Sequence, residues 1–142
     1  MAKFEEHISQ AKHNDEIADL LLNPDCTSYA WVTIISFYAA IQYIEASFAK
    51  TDIKHLDEYY NNLTKNMSGK KPSRHDVMED VINADPILSS FYSEYRDLRL
   101  GSEFFRYLRP GYKLFLNDKY ARKCFESSLG KIKRDLENNN LI

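Results

Sequence analysis

Tyr29-Ala-Trp-Val-Thr-Ile-Ile-Ser-Phe-Tyr-Ala-Ala-Ile-Gln-Tyr-Ile-Glu-Ala-Ser-Phe-Ala49 is apolar nearly all round a helical projection. Trp31, Ile34, Ile35, Phe37, Tyr38, Ala39, Ala40, Ile41, Tyr43 and Ile44 leave no polar stripe, as a helix packed on several sides requires. A membrane span here would bury the carboxylate of Glu45 without a partner, alongside Thr33, Ser36 and Gln42, and no basic anchor precedes it. The stretch therefore predicts a central bundle helix, about Thr27 to Lys50, with caps supplied by the preceding Asn-Pro-Asp-Cys-Thr-Ser turn. Ala39-Ala40 would let a neighbouring backbone come close.

Working outward, Phe4, Ile8, Ala11, Ile17, Ala18, Leu21 and Leu22 predict a first helix from Ala2 to Leu22, stopped by Asn23-Pro24. The 51–73 connection is too long for a structureless loop, and His55–Leu63 offers a short helix within it. Asn66 to Arg74 is a basic, flexible stretch. Ser73 caps a helix from Arg74 to Ala84, with Asp76 in its first turn. Asp85-Pro86 opens the next helix, to Leu108, where Arg109-Pro110-Gly111 stops it. Gly101 inside it costs about 1 kcal/mol relative to Ala, so it marks a bend or a close approach. Asn117-Asp118 caps a last helix, Lys119 to Asn138, whose inner stripe is Ala121, Cys124, Phe125, Ser128, Leu129, Ile132 and Leu136. Asn138-Asn139-Asn140 reads as a fraying tail. No alternating strand pattern, internal repeat or Gly-rich phosphate loop is present, so the chain is expected to be all-α.

At 142 residues the length fits one domain with a real core. The net charge of −2 implies no overall field for nucleic acid or membrane. Its distribution is uneven: residues 1–50 carry a net −4 and residues 96–134 a net +7. This suggests either an anionic partner for the C-terminal half, or neutralisation of the halves within one fold or across a dimer. Cys26 and Cys124 form no metal-binding spacing, and two free thiols suit a reducing cytoplasm. The N-terminus lacks the pattern of a signal peptide. No metal or cofactor is called for.

Within Tyr95 to Tyr107, Arg96, Arg99, Glu103 and Arg106 share roughly a quarter-turn of one helix face. Apolar rows flank that sector, so it reads as a polar groove held against the bundle or a partner. Arg99 and Arg106 could hold a phosphate or stabilise developing negative charge. Equally, Arg99–Glu103 is an i,i+4 pair, and Arg96, Arg106 and carboxylates elsewhere could build a structural network. His75 stands in the first turn of its helix, where backbone N–H groups attract anions and Arg74, Lys70 and Lys71 could add phosphate contacts. A histidine so placed could move protons, or could simply be a surface histidine at a helix start. His13 and Asn14 read as a buried polar pair. His7, six residues before His13, does not share its face, so no metal pair is expected. His55 reads as a loop histidine. The tyrosines are too dispersed to define a platform for single-stranded nucleic acid.

Four blocks resemble the HEPN superfamily, and the small bacterial HEPN proteins most of all. They are Ala11-Lys-His-Asn14, the aromatic run Tyr29–Ala46, Ser73-Arg-His75, and the pattern Tyr95, Leu98, Ser102, Arg106, Tyr107. Together they span residues 8–108. The resemblance implies an up-and-down bundle of four to five helices, of the kind that forms homodimers. It also implies RNA or nucleotide biology, a toxin–antitoxin or phage-defence setting, and a protein partner encoded nearby. HEPN ribonucleases cleave without metal through an Arg followed four to six residues later by His. No histidine here has such an arginine before it. The expectation is therefore a non-catalytic module that binds a protein, a nucleotide or RNA through Arg74, Lys70, Lys71, Arg96, Glu103, Tyr107, His13 and Asn14. The alternative is a metal-independent ribonuclease with a rearranged site, His75 as acid and base and Arg99 and Arg106 on phosphate.

Overall fold

The computed structural model describes every residue except Met1, Pro24, Cys26 and Thr27. Helices α1 (Phe4–Leu21), α2 (Tyr29–Phe48), α3 (Leu56–Thr64), α4 (Arg74–Ala84) and α5 (Tyr92–Arg106) are followed by a last helical run. That run, α6, joins α-helical Asp118–Arg122, π-helical Lys123–Leu129 and α-helical Gly130–Asn138. No strand occurs among the described residues. The all-α bundle expected from the sequence is the fold, with α3 a short addition to the five longer helices.

One cluster of buried side chains draws on every helix. Phe37, Ile44 and Phe48 of α2 meet Ala11 of α1, Leu56 of α3, Met78 and Ile82 of α4, Tyr95 and Leu98 of α5, and Ile132 and Leu136 of α6. α2 is thus the central helix, and no helix among the described residues is long and apolar enough to cross a membrane. It is not covered on all sides, however. Trp31 is 60% exposed and Tyr38 also reaches the surface. Trp31 and Tyr38, two turns apart, share an outer face of α2, while Ile34 between them is buried. The start expected for this helix, at Thr27, lies outside the described residues, as does Cys26.

Local chemistry sets the other boundaries. At α4 the Ser73 hydroxyl accepts from the Asp76 N–H (3.1 Å) and the Asp76 carboxylate accepts from the Ser73 N–H (3.0 Å), a reciprocal capping box. The helix expected from Pro86 begins instead with a tight 3-10 turn, Leu88–Phe91. There the Asp85 carboxylate accepts from the N–H groups of Ile87 and Leu88 (2.8 and 2.9 Å), which favours a turn over α-helical pairing. Asn117 caps α6 by accepting from the Tyr120 N–H at 2.9 Å.

The C-terminal tail does not fray. Asn140 takes a left-handed conformation (φ 55°), the Leu141 N–H donates to the Leu136 carbonyl at 2.9 Å, and the Asn140 N–H donates to the Glu137 carbonyl at 3.0 Å. This is a Schellman closure, and it buries Leu141. Gly101 marks a close approach: a Cβ there would lie 2.5 Å from the Tyr120 hydroxyl and 3.0 Å from a Thr33 methyl.

Candidate functional site

The capping box holds α4 so that Asp76 and Glu79, about one turn apart, face α5. Arg99 of α5 reaches both, with N–O distances of 2.7 Å to Asp76 and 2.8 Å to Glu79, and its Nε lies 3.3 Å from Glu103 one turn along its own helix. Glu79 also takes Arg96 at 3.3 Å and the Tyr92 hydroxyl at 3.2 Å, and Glu103 takes Arg109 at 3.5 Å. The Arg99 guanidinium is largely buried, at 16% exposure, and every nitrogen of its fork faces a carboxylate. The hydrogen bond from Arg99, aided by the two capping bonds with Ser73, holds the Asp76 carboxyl down at about 2. The polar sector of α5 is therefore held against α4 of the same chain.

Arg106 is different. Its Nη1 donates to the Tyr38 hydroxyl at 3.1 Å, and its guanidinium lies over the rings of Tyr38 and Tyr107, 5.7 and 5.1 Å from their centroids. Among the described residues no carboxylate pairs with it, and its buried Nε has no hydrogen-bond partner. Cation–π contact stabilises the charge without consuming its donors.

His75 stacks at a tilt on Phe37, ring centroids 5.4 Å apart, and Phe37 in turn stacks on the fully buried Tyr95. Burial pushes the His75 imidazole below its ordinary range, and the nearby charges of Arg99, Arg106 and Arg74 push the same way against Glu103. The ring lines a groove of about 390 Å³ with Tyr38, Gln42, Glu45, Asp57 and Arg74. A second groove of about 480 Å³ lies against Trp31, Ile34, Tyr38, Phe105 and Arg106. Tyr38 is the wall between them.

The charges of Arg99 and Arg106 both bear on His75, but the two arginines have unlike surroundings. Arg74 is engaged by Glu45 at 3.3 Å and Asp57 at 2.6 Å. Arg96, Glu103 and Tyr107 belong to the α5 cluster just described, while Lys70 and Lys71 are exposed on the loop before α4.

The His13–Asn14 expectation is corrected. His13 is exposed, and Asn14 accepts from Gln10 of its own helix at 3.0 Å. The buried side of α1 is set by Ala11 and Ala18, and His13 stands about 200° round from Ala11. His7, one turn before Ala11, makes the interhelical contact instead: its Nδ1 lies 2.7 Å from the Gln42 side-chain oxygen and 3.5 Å from Glu45. Burial pushes the Glu45 carboxyl up, against the pull of His7 and Arg74. His55, read as a loop residue, sits just before α3 as its N-cap.

Trp31, Tyr38, Asp76 and Glu79 are not apparent as site residues from sequence. For Asp76 and Glu79 the i,i+3 spacing on α4 was a usable signal; for Trp31 and Tyr38 the excess of apolar faces on α2 hid one. No set of His, Cys, Asp and Glu among the described residues is arranged to hold a metal ion. The chain matches no protein-family model, and neither a curated protein nor a solved structure is significantly similar to it.

Proposed function

We propose that this chain is a non-catalytic binding module, HEPN-like by its sequence resemblance, which takes a phosphate-bearing ligand (a nucleotide or single-stranded RNA) on the Tyr38 face. The observation that carries the reading is the contrast between two arginines. Arg99 spends its donors on Asp76, Glu79 and Glu103, so little of its charge is available to a phosphate. Arg106 has no carboxylate among the described residues and lies between aromatic rings beside the exposed Trp31. Rings that can stack a base, next to a cation that can meet its phosphate, fit a nucleotide, each stacked base contributing about 1–3 kcal/mol. The HEPN resemblance also supports a homodimer and a toxin–antitoxin or defence setting, with a protein partner as the competing occupant of this face.

A ribonuclease is the second reading, favoured by His75. An imidazole held neutral beside Arg106 is suited to accept a proton from a ribose hydroxyl. It would work with Arg106 rather than Arg99.

Trp31 is the sole tryptophan, so its emission reports on this face without a label. In chelator, single-stranded RNA or a nucleotide should quench it saturably, and Arg106→Met should weaken binding by about tenfold, or 1.4 kcal/mol. Intact RNA recovered afterwards supports the module. RNA cleavage that disappears in His75→Ala establishes the ribonuclease instead. No quenching by any nucleotide or RNA from folded protein rejects both.

A further inference from the structure

A groove of about 570 Å³ runs between α1 and α6 and shares no residue with the Tyr38 face. Its floor is apolar: Ile8, Tyr43, Phe125 and Ile142. Its edges are charged, with Lys12, Asp15, Glu16 and Asp19 on α1 and Lys133 and Glu137 on α6. Asp15 is already committed, since it accepts from the Tyr43 hydroxyl at 3.0 Å and pairs with Lys133. Glu16, Asp19 and Glu137 are exposed, and no cation among the described residues pairs with them. Glu16 and Asp19 also lie in the last turns of α1, which has no basic residue in its final turn. Carboxylates there face the partial negative charge of the helix's own C-terminus. A cation arriving from outside would relieve both the rim and the helix end.

The shape narrows the occupant. Phe4 and Asp19 both line the groove, and the fifteen-residue separation along α1 spans about 22 Å. Such a volume spread over that length admits one row of side chains rather than a rounded small molecule. An amphipathic helix laid along the groove would insert apolar side chains at i, i+3 or i+4, and i+7, and set flanking lysines or arginines against the rim. Among the described residues no such helix is free: the apolar stripe of the basic α6 is buried in the core, and α3 carries Asp57 and Glu58 in its first turn. We infer that the α1–α6 groove is a docking site for a basic amphipathic helix of a partner protein.

The test uses a fluorescein-labelled peptide of about 18 residues, a length that spans the groove as a helix, with leucines at the inserting positions and lysines elsewhere. Its scrambled isomer keeps the charge and loses the apolar row. The peptide should bind saturably, and the scrambled isomer at least about tenfold more weakly. Asp19→Lys should lower affinity by a similar factor, and the milder Glu16→Gln by about threefold, each with an unchanged circular dichroism spectrum. Glu58→Lys, an equal charge change on exposed α3, should leave binding as it was. Absence of saturable binding, equal binding of the scrambled isomer, or equal losses in Asp19→Lys and Glu58→Lys would each overturn the assignment. A dimer seen by sedimentation that Asp19→Lys dissociates would give the groove to a second copy, which also overturns it.

Discussion

Replacing Arg99 with Met removes a cation and keeps most of the stem that crosses from α5 to α4. The Asp76 carboxyl stands at about 2 against an ordinary 3.8, which at full strength corresponds to about 2.4 kcal/mol. Asp76 is 50% exposed, so solvent screening reduces that to about 1 kcal/mol. The bonds to Glu79 and Glu103, both largely buried, add up to about 1 kcal/mol each. Arg96 and Arg109 remain as partners for these two, which lowers the sum. The expected loss is about 2–3 kcal/mol, or a fall in Tm of about 6–9 °C for a chain of this size. Because the Asp76 pKa is depressed by folding, its contribution is fully present above pH 3.8 and is lost as pH falls through about 2. Urea unfolding followed by circular dichroism should therefore show a wide gap between wild type and Arg99→Met at pH 7, closing toward pH 2. A loss below about 1 kcal/mol at pH 7, or a gap that does not change with pH, would refute the idea that this cluster ties α4 to α5.

Two other perturbations test neighbouring parts of the argument. The depressed His75 imidazole means that the unfolded chain takes up its proton first, so stability is full above pH 6.5 and declines as pH falls from there toward the folded-state value. NMR titration should place the His75 midpoint below 6.5, and His75→Gln should remove that part of the pH dependence; a midpoint at or above 6.5 contradicts the site electrostatics. Gly101→Ala should destabilise by about 1–2 kcal/mol despite its better helix propensity, because the new Cβ meets the Tyr120 hydroxyl and Thr33. Adding Tyr120→Phe should recover part of that loss; strict additivity of the two changes would show that the close approach has no energetic weight.

The helices themselves were legible because each carries its own period and its own stops. Ser73 and Asp76 declare the start of α4, and Asn117 that of α6, through bonds that involve only neighbours in sequence. Arg99–Glu103 was legible for the same reason. What sequence did not reveal depends on which side of a helix meets another. α2 has more apolar faces than the bundle can cover, so periodicity alone does not say that Trp31 and Tyr38 stay outside. Which histidine of α1 turns inward depends on phase: Ala11 and Ala18 bring His7 to a half-buried position and send His13 to solvent. The partners of Arg99 on α4 are twenty or more residues away in sequence, and only the packed bundle shows that they, rather than a ligand, take its charge. Three asparagines in a row suggest loosening, but Asn140 in a left-handed conformation lets the helix close.

The π-helical stretch of α6 has a consequence for how this chain tolerates change in length. Ala121, Cys124, Ser128, Ile132 and Leu136 are buried at successive intervals of mostly four residues, a spacing that would spiral away from the core in a regular α-helix. The wide turns of Lys123–Leu129 unwind the helix enough to keep those side chains aligned. Loss of one residue inside this stretch could be taken up by tightening it into α-helix, leaving Ile132 and Leu136 in phase. The same loss in α2, whose buried residues include no such slack, would turn everything after it by about 100°. The last helix is thus the part of the bundle where insertions and deletions are most readily absorbed, and the central helix the part where they are least.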